Sequence, residues 1–203
     1  MQPEGYPIPA AAARTEIWAR NSRFIGSANY TPTVEAAKAF LAEVRAVYPT
    51  ATHHAFAYLV GYGNSSIAGL SDAGEPPGTA GRPMLAVVQG SGLGDITVVG
   101  TRYFGGTLLG TGGLVRAYSA ATKAVLELLP RAVKVAQTTI LISLDYNFYA
   151  IARQMLLQAG AMIMEEDFTT EIQLLVKLPA PRLEDCKAKL AEMTGGKVEV
   201  VEV

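Results

Sequence analysis

Apolar residues along this chain switch between the two-residue alternation of a strand and the three-to-four-residue recurrence of a helix. Thr15–Arg20 and Arg23–Tyr30 are short β-prone runs on either side of Asn21-Ser22, which predicts an antiparallel pair. Thr31-Pro32 reads as an N-cap followed by proline at the first helical position. Val34, Leu41, Val44 and Tyr48 then recur at spacings of seven, three and four, one helical stripe that Pro49 ends. His54–Gly61 is strand-like, and Ser66–Leu70 reads as a second strand after the Gly61–Asn64 turn. The next helix begins between Thr79 and Pro83, because proline is tolerated only in a first turn. Met84, Val87 and Val88 form its apolar face, and Gly90–Gly94 closes it. Asp95–Tyr103 follows as a strand. A third helix then carries Leu114, Tyr118, Ala121, Val125 and Leu128 on one face and stops at Pro130.

From about Val133 the pattern changes. Val135–Asp145 is strand-like, Phe148–Gln158 helical, and Ala161–Asp167 and Glu171–Leu178 are strands around Phe168-Thr-Thr170. Pro181–Met193 is a helix closed by Gly195-Gly196, and Lys197–Val203 alternates valine with charge. The order β-α-β-β-α-β is the ferredoxin-like plan, a four-stranded antiparallel sheet with both helices on one face. A boundary near Arg131–Val135 therefore predicts an α+β protein of two domains, residues 1–132 and 133–203.

Composition narrows the function classes. The 203-residue chain is 50% hydrophobic and 17% charged, enough to bury a core and unlike a disordered tail. Residues 1–132 hold ten Lys/Arg against eight Asp/Glu, and residues 133–203 hold seven against ten, so the halves carry +2 and −3. That balance excludes a general nucleic-acid coat and permits a local basic patch. Cys186 is the only cysteine, which rules out an intramolecular disulfide and fits a reducing compartment. No apolar run has the length of a membrane helix, and the start at Met1-Gln-Pro-Glu lacks a signal-peptide pattern. The expected location is the cytoplasm, with no membrane partner.

Fifteen of the twenty glycines fall between Gly61 and Gly113, mostly in two stretches, Asp72–Gly81 and Arg102–Gly113. Glycine loses more backbone entropy on folding than any other residue, so such a density calls for positive φ or for close approach of the backbone to something, here a partner. In the first stretch Asp72 and Glu75 stand beside Gly78, Thr79 and Gly81 ahead of a helix, where backbone N–H groups bind anions and Thr79 can cap the helix or touch a phosphate. The same stretch also reads as a surface turn with a good helix start. It is neither a Walker loop nor a dinucleotide fingerprint. In the second, Arg102 and Phe104 share one face of a strand end and Tyr103 takes the other, followed by Gly105-Gly106. An arginine beside an exposed aromatic suits phosphate contact and base stacking; the competing reading is a core aromatic with the arginine paired to an acid such as Asp72. Arg116 lies about one helical turn past the loop. His53-His54 diverge on a strand and make a poor metal pair, and no serine has a visible base, so neither a metal, a cofactor nor a catalytic set is expected.

In order along the chain, Ser22-Arg-Phe-Ile25, Thr52-His-His-Ala55, Asp72-Ala-Gly-Glu75 with Gly78-Thr-Ala-Gly81, Arg102-Tyr-Phe-Gly-Gly106 with Leu109-Gly110, and Gly113-Leu-Val-Arg-Ala-Tyr118 resemble the IMPACT family signature. The tail from about residue 137 resembles the small C-terminal domain of the family's bacterial YigZ-like branch. The resemblance implies an N-terminal domain of the ribosomal protein S5 domain 2-like fold and a ferredoxin-like C-terminal domain, a pair similar to the last two domains of elongation factor G. Eukaryotic relatives modulate translation by binding the activator of an initiation-factor kinase; the bacterial branch has no activity to carry over. The leading expectation is a non-enzymatic, translation-associated binding protein that contacts RNA, ribosome or a translation factor through both loops. The alternatives are a small-molecule or nucleotide- and phosphate-binding enzyme using Asp72 and Glu75, and a protein–protein adaptor.

Overall fold

A computed structural model of the chain describes residues 5–203, so the opening residues read for a signal peptide lie partly outside the described part. It divides into two compact units, one spanning Tyr6–Lys134 and the other containing Val135–Val203.

The first unit contains β1 (Gly5–Pro9), β2 (Ala13–Ala19), β3 (Ser22–Tyr30), α1 (Val34–Val47), β4 (His53–Val60), β5 (Ile67–Ser71), α2 (Gly81–Gly90), β6 (Ile96–Tyr103), α3 (Gly110–Leu128) and β7 (Arg131–Val135). Its main sheet has the order β2-β3-β6-β4-β5, with every neighbouring pair antiparallel. The central strand β6 is buried along almost its whole length because both of its faces are covered. Val98 joins Met84 and Val88 of α2 and Leu114, Tyr118 and Val125 of α3 in one cluster. The next residue, Val99, points the other way and packs with Phe40, Leu41 and Val44 of α1. Helices α2 and α3 thus cover one face of the sheet and α1 the other.

Two features depart from the pattern read along the chain. The N-cap of α1 is Thr33, whose Oγ1 accepts from the N–H of Ala36 at 3.1 Å. Pro32 precedes the cap instead of opening the helix, and Thr31 is buried with its hydroxyl 2.7 Å from that of Thr97. Strands β1 and β7 pair as a separate two-stranded sheet that the periodicity does not show. Pro7 and Pro9 each remove a backbone donor from β1, and proline belongs only to edge strands. Buried Asp95 ties this small sheet to the main one. It accepts from Tyr6 Oη at 2.8 Å, Gly61 N–H at 2.7 Å and Lys134 Nζ at 2.6 Å. Burial opposes its charge, yet Lys134, the Gly61 amide and Tyr6 outweigh that and hold its carboxyl below the ordinary range.

The second unit contains β8 (Gln137–Leu144), α4 (Tyr146–Gln158), β9 (Met162–Phe168), β10 (Ile172–Pro179), α5 (Leu183–Thr194) and β11 (Glu199–Glu202). These form a four-stranded antiparallel sheet of order β11-β8-β10-β9. Alternate residues Ile140, Ile142 and Leu144 of β8 and Ile172, Leu174, Val176 and Leu178 of β10 are buried against Ala152 and Leu156 of α4 and Cys186 and Leu190 of α5. Both helices therefore lie on one face. Cys186 is wholly enclosed, and burial pushes its thiol pKa up. No helix among the described residues is long and apolar enough to cross a membrane.

Candidate functional site

Strand register assembles the site. Ile17 of β2, Phe24 of β3, Arg102 of β6 and His53 of β4 lie directly opposite one another in sequence of strands, so they form one row on the face covered by α2 and α3. The first glycine stretch, between β5 and α2, lowers Glu75 onto this row. The carboxylate of Glu75 accepts from Arg102 Nη1 at 2.9 and 3.0 Å and from Tyr118 Oη of α3 at 2.8 Å. Glu75 and Arg102 are only 6% and 5% exposed, so this is a buried ion pair. Burial, and then the negative charge of Glu75, pushes the Tyr118 hydroxyl pKa far up, so it stays a protonated donor. Arg102 also donates from Nη2 to Ser22 Oγ at 3.4 Å, and its guanidinium lies 5.4 Å from the ring centres of both Phe24 and Phe104. Its Nε is buried with no acceptor.

The acid paired with Arg102 is thus Glu75 and not Asp72. Asp72 accepts from the N–H groups of Gly78 at 2.8 Å, Ala80 at 2.9 Å and Gly81 at 2.8 Å. Burial opposes its charge, but these three amides hold its carboxyl below the ordinary range. The amide cradle at the start of α2, which reads in the sequence either as an anion site or as a surface turn opening a helix, is filled by the chain's own carboxylate. Thr79 is buried and donates its hydroxyl to Pro76 O at 2.7 Å, tightening the turn instead of capping the helix. Gly78 supplies a left-handed turn at φ +79°. In the second stretch Gly105 is required by close approach, though to this chain: a Cβ there would lie 1.8 Å from the carbonyl oxygen of Asn21.

Between the two stretches is a pocket of about 430 Å³, with Glu75, Arg102 and His53 on its polar side and Phe104, Leu108 and Leu114 on its apolar side. His53, set aside by sequence reasoning, belongs to it. Its Nδ1 lies 3.0 Å from the carbonyl of Ala73, which can only accept, so Nδ1 carries a proton and donates. Nε2 then faces the Glu75 carboxylate at 3.9 Å. Thr52 and Ser22 position the rim, accepting from the backbone N–H groups of Phe104 at 3.1 Å and Gly105 at 3.3 Å. Gly106 turns the exposed loop at φ +83°.

The other candidates lie elsewhere. Arg116 lines a separate cleft of about 310 Å³ together with Trp18 and Arg20. Tyr103 points to the opposite sheet face, where the guanidinium of Arg23 lies 5.8 Å from its ring centre. Four charged candidates therefore resolve into one buried pair, Glu75–Arg102, one loop-organising acid, Asp72, and one separate cation, Arg116. Asp72 and Glu75 accept from separate sets of donors in this conformation and share none of them. Among the described residues no group of three or more His, Cys, Asp or Glu is placed to hold a metal ion.

With a five-stranded sheet and a glycine-loop pocket in the first unit and a four-stranded antiparallel sheet with two helices in the second, the molecule is an α+β protein of two compact units. The model of the Impact N-terminal domain matches residues 20–126, and that of a domain of unknown function (DUF1949) matches residues 142–197. The chain is 40% identical over 201 residues to the IMPACT family member YigZ of Escherichia coli, covering 98% of each. It is 37% identical to an IMPACT family member of Haemophilus influenzae, covering 96% of this chain and 95% of that one. A crystal structure of a hypothetical protein matches with TM-score 0.76 and 40% identity, covering 98% of each chain. The chain belongs to the IMPACT family, as a YigZ-like member.

Proposed function

We propose that this protein is a non-enzymatic binding protein that works beside the translation machinery, contacting RNA, ribosome or a translation factor through the outer edge of its second glycine stretch. The observation that carries this reading is Phe104, 45% exposed at the rim of the pocket and backed by the Arg102 guanidinium. The buried charges hold the loops, which favours a shaped, aromatic edge for contact over a reacting group. The finer fold assignments belong to the same reading: the order β11-β8-β10-β9 supports a ferredoxin-like second domain, and the resemblance supports an S5 domain 2-like first domain. A single buried cysteine supports a cytoplasmic setting. The test is co-sedimentation with ribosomes and with translation-factor extracts at low and moderate salt, comparing wild type with Phe104→Ala, and with Arg116→Ala as a separate variant for the other cleft. Both side chains are exposed, so each change leaves the buried pair intact. Equal binding by wild type and Phe104→Ala removes this edge from the reading.

A second reading, a small-ligand site, is favoured by the polar wall that Glu75, Arg102 and His53 present to the pocket. A thermal-shift screen against nucleotides and sugar phosphates checks it. A ligand present at 100 times its Kd raises stability by about 2.7 kcal/mol. No upward shift from any compound, with or without magnesium, counts against this reading.

A further inference from the structure

The face of the main sheet opposite the pocket carries a second constellation. Trp18 of β2 lies directly opposite Arg23 of β3, and Arg23 directly opposite Tyr103 of β6. Directly paired residues share a face, so the three side chains form one cross-strand row, indole–guanidinium–phenol, on the α1 side. Adjacent strands are spaced by about 4.8 Å, so the row extends across roughly 10 Å. Helix α1 does not cover it: its buried residues pack on Val99, two same-face positions back from Tyr103 along β6. Trp18 is 65% exposed, and the Arg23 side chain is 38% exposed. Arg23 donates from both Nε, at 2.9 Å, and Nη2 to Glu16, and the centre of its guanidinium lies 5.8 Å from the Tyr103 ring centre.

We propose that this row is a stacking platform for unpaired nucleobases of single-stranded RNA. It brings three planar groups together on neighbouring strands of a rigid sheet, the guanidinium over one face of the half-buried Tyr103 ring and the indole exposed, and bases stack on aromatic rings and on guanidinium planes alike. The ion pair with Glu16 offsets the charge of Arg23, so recognition is carried by faces of bases more than by phosphates. That distinguishes it from an electrostatic coat: affinity should fall only weakly with salt, with a logarithmic slope of about −0.7 or shallower for the one cation in the row. This inference goes beyond the proposed function, since it concerns the other sheet face; it rests on that reading only for its biological setting, and its chemistry is separately testable.

Trp18 is the only tryptophan in the chain, so its fluorescence comes from this one edge of the sheet, and Arg116→Ala serves as the control for the cleft that Trp18 also borders. Titration of the full-length protein with short oligouridylate and oligoadenylate should quench that emission to saturation. In anisotropy measurements with labelled oligonucleotide, Trp18→Ala and Tyr103→Ala should each weaken Kd by about 5- to 150-fold, the range spanned by loss of one base–aromatic stack, and Trp18→Phe should retain most of the affinity. A thermal melt of each variant verifies folding, and Trp18→Ala is the decisive one because its side chain is exposed. Absence of quenching up to about 1 mM oligonucleotide, or equal Kd for wild type and Trp18→Ala, overturns the platform. Ribosome co-sedimentation that survives such a failure leaves the broader reading standing. If co-sedimentation is lost in Trp18→Ala while free oligonucleotides never quench, the row docks a protein and the RNA proposal falls. Quenching by RNA in a protein that never associates with ribosomes or translation factors supports the platform and overturns the broader reading.

Discussion

Replacing Arg102 by alanine removes the only cation among the described residues within hydrogen-bonding distance of the Glu75 carboxylate, whose side chain is 2% exposed. Tyr118 remains as one donor at 2.8 Å, and His53 stands off at 3.9 Å. Breaking a buried pair from one side costs about 3–5 kcal/mol, because the remaining charge keeps its desolvation penalty without its partner. Loss of the Ser22 contact and of the guanidinium packed near Phe24 and Phe104 acts in the same direction. For a unit of this size that corresponds to a fall in Tm of about 10–20 °C. Trp18 lies in the same unit, so its fluorescence during urea or thermal unfolding isolates this transition from that of the second domain. Changing both partners to apolar residues, Glu75→Leu with Arg102→Met, removes the stranded charge and should restore much of the loss relative to Arg102→Ala alone. A decrease of less than about 1 kcal/mol for Arg102→Ala, or a double variant as damaged as the sum of the singles, would refute a buried, mutually dependent pair.

Other expectations follow from the same geometry. Tyr118→Phe deletes one hydrogen bond to a charged acceptor and should cost about 1.5–3 kcal/mol in urea unfolding, leaving the pair otherwise intact. Gly105→Ala brings a Cβ to 1.8 Å from Asn21 O, so the loop must move; a loss of at least about 1–3 kcal/mol is expected, and a neutral result in the same assay contradicts the close approach. Asp72 and Asp95 have folded pKa values below their ordinary 3.8, so the stability they contribute is fully present above that pH and is lost as pH falls through the lower folded values. Asp72→Asn and Asp95→Asn should each flatten the acid limb of a stability–pH curve. His54 is shifted the other way for its charge: burial, then Arg45, lowers its pKa from 6.5, so the neutral form is favoured in the fold. Stability should therefore decline as pH drops below about 6.5 toward the folded value, and His54→Gln should remove that decline.

The sequence alone was informative where the signal is local. Helices α2 and α3 and the six elements of the second unit were legible from period, proline and glycine, because their buried faces repeat at 3.6 or two residues. The two glycine stretches were legible as the place where the chain does something unusual. The partner of Arg102 was not, because two acids, Asp72 and Glu75, stand three residues apart and only the left-handed turns between them decide which one reaches the row. The small β1–β7 sheet escaped notice because prolines interrupt it and its pairing spans most of the first unit.

The residue types at the site were therefore set by the amino-acid sequence: an acid, an arginine, aromatics and glycines that permit tight turns. Tertiary structure decided their company. Strand register placed Ile17, Phe24, Arg102 and His53 on one face and Trp18, Arg23 and Tyr103 on the other, from three or four segments far apart in the chain. Loop geometry then closed Glu75 over the first row and turned Asp72 onto its own backbone. Side-chain alternation can be read from any single strand, but which residue lies opposite which is settled only when the strands pair, since a one-residue slip would exchange the two faces.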